Sequence, residues 1–135
     1  MNKNKGFSLV ELIVVVAIMA VLVGILAPAY LSYVEKTRRG TDENMAEEVR
    51  HTIEVSAAEL CVYDELSDGD TFTFANGNDI PSKCGTGALK DSMEEVYHGK
   101  SFDLKSKKYS GSSWKVTISK PAGTGTAALT VTGTW

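Results

Sequence analysis

The sequence predicts an α+β fold in which a long N-terminal α-helix, hydrophobic in its first half, packs through its second half on a C-terminal antiparallel β-sheet. Three observations carry this expectation. Glu11 is the only charged residue between Phe7 and Val34. An apolar stripe at helical spacing follows at 45–60, and two strictly alternating segments lie beyond Ser113.

Residues 1–6, MNKNKG, are short, polar and basic. Residues 7–34 are read as a hydrophobic helix. The 23 uncharged residues between Glu11 and Glu35 would make a rod of roughly 35 Å, enough to cross a hydrocarbon core. A polar break is expected around Arg38 to Thr41, with Gly40 inside it. The amphipathic half, 35–63, then places Met45, Val49, Ile53, Ala57 and Leu60 on one face. Glu43, Glu47, Glu48, Arg50 and Glu54 fall mainly on the other. Residues 64–100 are read as a connecting region, with a short strand expected in TFTF (71–74) and a short helix in ALKDSMEEVY (88–97). Residues 101–135 are read as an antiparallel meander. WKVTISK sets Trp114, Val116 and Ile118 against Lys115, Thr117 and Ser119, and ALTVTGTW sets Leu129, Val131, Gly133 and Trp135 against threonines. SFDLK supplies Phe102 and Leu104 as a third strand, and the turns are SGSS and PAGTGT.

A chain of 135 residues allows one modest domain plus a membrane-length segment. The net charge of −3 argues against nucleic acid as the principal partner. Lys105, Lys107 and Lys108 sit beside Asp103 and read as a solvated loop. Cys61 and Cys84 fit no zinc or redox spacing. Beyond a membrane segment they are expected to pair, closing a loop worth roughly 3 kcal/mol; the alternative is two unpaired buried thiols.

Glu11 poses the question of function, because a carboxylate in an apolar helix costs several kcal/mol unless it is paired. It could reach headgroups beside Lys3 and Lys5. The run could instead be an ordinary secretory signal, with APA at Ala27–Ala29 satisfying A-x-A and release after Ala29 as a secreted binding domain. Or Glu11 could meet a specific cation from a new terminus or another chain.

KGFSLVEL, followed by an apolar helix and Pro28, resembles the N-terminus of type IV prepilins and their pseudopilin relatives, whose pattern is K-G-F-[ST]-L-[VI]-E. The resemblance is close over the first 35 residues and loose over the rest. It implies a prepilin peptidase that cuts between Gly6 and Phe7 and methylates the Phe7 amine. That amine lies one helical turn before Glu11, which would neutralise it within the chain or in a neighbour, so that Glu11 fixes the axial register. The implied product is the structural subunit of a type IV pilus, a homo-oligomeric helical filament serving adhesion, motility or DNA uptake. Its implied partners are the peptidase and the pilus assembly machinery. The precursor would sit in the cytoplasmic membrane with its N-terminus in the cytoplasm, and the filament would be extracellular. A pseudopilin of a type II secretion or competence system shares every one of these features. No GxSxG, HExxH or P-loop motif is present, so no enzyme activity and no cofactor are expected. Many members close a disulfide near the C-terminus, whereas a Cys61–Cys84 bond would tie the helix end to the connecting region.

Pro28 removes the N–H that would bond the Gly24 carbonyl, so the helix is expected to be weakest across Gly24 and Pro28. Tyr30 and Tyr33 suit anchoring at the membrane exit or packing between subunits. Asp64, Glu65, Asp68, Asp70, Asn76, Asn78 and Asp79 gather in two loops. Asp64, Asp68 and Asp70 are calcium candidates, although EF-hand spacing is absent and Asp-Gly and Asn-Gly are ordinary turn formers. His51 and His98 stand in no catalytic motif.

Overall fold

The structure, a computed structural model, describes residues 6–85, 87–120 and 129–135. In chain order it contains α1 (Leu9–Ala57), α2 (Leu60–Glu65), β1 (Thr71–Ala75), β2 (Asn78–Asp79), α3 (Ile80–Lys83), α4 (Ala88–Tyr97), β3 (Ser101–Phe102), β4 (Ser113–Ser119) and β5 (Thr130–Thr134). The chain divides into two compact units, Met1–Lys36 and Thr37–Trp135.

Within the first unit, the valines, leucines and isoleucines from Leu9 to Leu31 are all exposed on α1. This part of the helix is long and apolar enough to cross a membrane. It runs unbroken through Gly24 and Pro28.

The break expected at Arg38–Thr41 does not occur, because α1 continues to Ala57. One glycine costs a helix only about 1 kcal/mol. The residues after it bury a continuous face: Asp42, Ala46, Val49, Ile53 and Ala57 are all buried. Full burial of Val49 and Ile53 alone contributes roughly 1.5–3 kcal/mol each. The real interruption falls at Ala58–Glu59, inside the expected 35–63 helix, where Glu59 turns extended at φ −69°, ψ 137°. It resets the helical phase. Val62 and Leu66, one turn apart, are buried, yet a straight continuation of α1 would carry Val62 about 140° away from Ala57.

The main sheet has the order β1-β4-β5 with both pairings antiparallel. TFTF therefore forms an edge strand of it, with Phe72 opposite Val116 and Phe74 opposite Trp114. SFDLK does not belong to this sheet, contrary to the meander expectation: Ser101 and Phe102 pair with Asp79 and Asn78 in a separate two-stranded ladder. The alternation itself holds, since Phe102 and Leu104 are buried on either side of exposed Asp103. In β4, Trp114, Val116 and Ile118 face inward as the pattern requires. In β5 only Val131 is fully inward. The PAGTGT turn lies outside the described residues.

Phe74, Phe102 and Trp114 form the aromatic centre, with ring centroids 5.6–5.7 Å apart. Trp135 stacks on Tyr109 at 4.1 Å. Two polar anchors fix the loop around them. The buried Asp42 carboxylate accepts the Lys105 N–H at 2.9 Å and the Ser106 N–H at 2.8 Å. The Tyr109 hydroxyl donates to Glu43 at 2.7 Å. At the other end, the Lys120 ammonium lies over the Tyr63 ring and donates to the carbonyls of Tyr63 and Leu66, closing the last turn of α2.

Candidate functional site

The motif that posed the functional question lies where α1 begins. Gly6, Phe7 and Ser8 are non-helical and Leu9 is the first helical residue. Two reciprocal bonds fix that start. The Ser8 hydroxyl accepts the Val10 N–H at 3.3 Å, and the Glu11 carboxylate reaches back to accept the Ser8 N–H at 2.9 Å. The Leu12 N–H closes the first turn on the Ser8 carbonyl at 3.2 Å. This is a variant of the capping box, with Ser8 at the N-cap accepting from N2 and Glu11 at N3 reaching back to the N-cap amide. Two donors that the helix geometry leaves unpaired are satisfied by side chains, and the carboxylate meets the positive end of the helix dipole.

The sequence carries the signal in plain form, as Ser-x-x-Glu directly before an apolar run. Around the acid, Phe7, Val10, Val14 and Val15 line a shallow apolar groove. Glu11 is thus an isolated acid on an apolar surface, with its carboxylate turned toward the start of the chain.

The other candidate residues are dispersed. Gly24 and Pro28 lie in regular helix, with open space where a Gly24 side chain would go. Tyr30 and Tyr33 are exposed. The expected disulfide is not formed: Cys61 and Cys84 are free thiols, the first exposed and the second buried. Cys84 points into the core at the end of α3, with its Sγ 3.5 Å from the Ile80 carbonyl. Burial, with a smaller contribution from the Asp79 carboxylate, pushes its pKa up to about 12, so it is an inert thiol at neutral pH.

Of the calcium candidates, Asp68 accepts the Lys120 N–H and Asp70 the Ser67 N–H, while Asp64 is exposed on α2. Among the described residues no group of three or more His, Cys, Asp or Glu side chains is placed to hold a metal. A cleft of about 230 Å³ is lined by Glu65, Asp70, Phe72 and Cys84 among others. Its acids serve the fold: Glu65 accepts the Ala88 N–H at 2.8 Å at the start of α4. His51 is exposed, 3.9 Å from Glu54. His98 ends α4 in the left-handed conformation, at φ 43°. On the wet face of α1, Arg50 bridges Glu47 and Glu54 and also donates to the Val131 carbonyl. The Arg50 hydrogen bond holds the Glu47 carboxyl below its ordinary range.

Comparison with known proteins agrees with the motif. Residues 1–27 match the family described as the prokaryotic N-terminal methylation motif. Over 99 residues, 70% of each chain, the sequence is 30% identical to prepilin peptidase-dependent protein A of Clostridium perfringens. The chain belongs to the type IV pilin family. Fimbrial protein Q of Moraxella bovis is 47% identical over 38 residues, 28% of this chain and 24% of its own. A type IV major fimbrial protein FimA of Dichelobacter nodosus is 33% identical over 70 residues, 52% of this chain and 38% of its own. This pilin therefore spans well under half the length of those two fimbrial relatives. No solved structure matches the chain significantly.

Proposed function

We propose that this pilin is a structural subunit of a type IV pilus. A prepilin peptidase cuts it between Gly6 and Phe7 and methylates the Phe7 amine. The assembly machinery then extracts it from the cytoplasmic membrane, where its N-terminus faced the cytoplasm, into an extracellular homo-oligomeric filament.

The observation that carries this reading is that Glu11 is the single acid of the apolar, exposed stretch of α1 from Leu9 to Tyr33. Its carboxylate is bonded to the amide of Ser8, the residue next to the one whose amine a cut after Gly6 would free. Transfer of an apolar helix from lipid into a bundle of like helices leaves its hydrophobicity nearly unchanged. Packing and charge pairing must therefore drive assembly. A Phe7 amine of one chain against Glu11 of its neighbour leaves no buried unpaired charge in one axial offset only, so Glu11 sets the register. The name of the clostridial relative, which states dependence on prepilin peptidase, supports processing of this chain. Loosening of the helix across Gly24 and Pro28 belongs to the same reading, as the place where a filament could stretch.

The test is Glu11→Ala in cells that make the fibre. Cleavage should proceed nearly as in the parent while sheared fractions lose ordered fibres. Fibres of normal yield and order from that variant would overturn the role given to Glu11.

A further inference from the structure

We infer that Ser8 is a positioning residue for Glu11, and that the capping box gives the register acid a partner within its own chain before the Phe7 amine exists. The assembly half of this inference rests on the function proposed above; the pairing half does not.

An uncut precursor has a difficulty that the charge pair does not address. The Phe7 nitrogen is still an amide there, so the amine that would balance Glu11 is absent, yet the acid already lies in an apolar segment. An unpaired carboxylate in such surroundings is strongly unfavourable. The structure shows the resolution. Glu11 Oε2 takes the Ser8 N–H at 2.9 Å, and the hydroxyl of the same serine takes the Val10 N–H at 3.3 Å. Each bond supports the other, because both require the chain to leave the helix at Ser8.

The box also turns the carboxylate toward the chain start, where the chain's own Phe7 amine would form on cleavage. A carboxylate can accept from several donors through its two oxygens, so an amine can join the Ser8 amide without the side chain changing direction. Glu11 then has two separable jobs. Capping needs an acceptor at this position, which glutamine also supplies. Register needs the negative charge, which glutamine lacks.

The experiment reads amide hydrogen exchange by NMR on the full-length, uncut chain, made without the peptidase and held in detergent micelles. In the parent, Ser8→Thr and Glu11→Gln proteins, the Ser8 and Val10 amides should be protected. Glu11→Ala should speed exchange at Ser8, and Ser8→Val should speed it at Val10, each about fivefold, as loss of a typical cap implies. Equal Ser8 exchange in the parent and Glu11→Ala would overturn the inference. In cells, Ser8→Thr should assemble like the parent, and Glu11→Gln, capped but uncharged, should give no ordered fibres. Ordered fibres from Glu11→Gln would overturn the division between cap and charge. Because the exchange experiment uses uncut protein, a failure of processing or fibre formation in the parent would count against the proposed function and leave the capping result standing.

Discussion

Asp42 is fully buried on α1 and holds the loop before β4 with two charge-assisted bonds, to Lys105 N at 2.9 Å and Ser106 N at 2.8 Å. Asp42→Ala deletes both acceptors and strands two amides, one of them wholly buried. Hydrogen bonds to charged groups contribute about 1.5–3 kcal/mol each, and alanine returns roughly 0.5 kcal/mol of helix propensity. The expected loss is therefore about 3–5 kcal/mol. For a region of roughly a hundred residues that lowers Tm by about 15–30 °C. Asp42→Asn keeps one acceptor oxygen but turns an NH₂ on the second amide, so about half the loss is expected. Urea unfolding of the full chain in detergent micelles, followed by tryptophan fluorescence, measures both, since Trp114 and Trp135 belong to the same unit as Asp42. An alanine variant within about 0.5 kcal/mol of the parent, the range of an ordinary surface change, would refute the reasoning.

Other expectations concern the strands and the thiols. A Cβ on Gly133 would come within 2.5 Å of the Trp114 ring. Gly133→Ala should therefore destabilise by about 1–3 kcal/mol through overpacking and alter the near-UV circular dichroism of the tryptophans. At pH 8 a thiol reagent should label Cys61 quickly and Cys84 only on unfolding; recovery of a peptide disulfide linking Cys61 to Cys84 would contradict the free-thiol arrangement. Burial raises the folded-state pKa of Cys84 to about 12 and moves Tyr97 in the same direction. In both, the folded chain keeps a proton that the unfolded chain gives up. Their contribution is thus complete below the unfolded thiol pKa and lost as pH rises toward 12, and Cys84→Ala should flatten the alkaline fall in urea midpoint.

Local patterns in this sequence are legible where one segment decides its own structure. The apolar stripe Val49, Ile53 and Ala57, the inward faces of β4 and the bounds of α4 at Ala88 and Tyr97 all follow from periodicity. What escaped depends on partners far along the chain. Phe102 shows its alternation, but nothing in SFDLK says that it pairs with Asn78 rather than with β4. The sequence AAE at 57–59 consists of good helix formers, and the break there comes from the need to turn Val62 and Leu66 inward. Gly40 is a common helix stop but lies inside α1, where Thr41 bonding back to the Thr37 carbonyl is compatible with continued helix. An oxidising compartment favours pairing of Cys61 and Cys84 but says nothing of side-chain direction, and the second thiol is buried while the first is exposed. At the site, the position of Glu11 was legible from composition alone. Its present partner was written in Ser8, three residues earlier, as a local capping signal.

Processing after Gly6 followed by assembly is tested most directly by the N-terminal mass of protein sheared from intact cells. The expected species begins at N-methylated Phe7 and is found in the fibre fraction. A chain beginning at Tyr30 would mean release by an ordinary signal peptidase and would contradict both the filament and the role given to Glu11. Processed chains confined to the membrane fraction would contradict the pilus and assign the same chemistry to a pseudopilin.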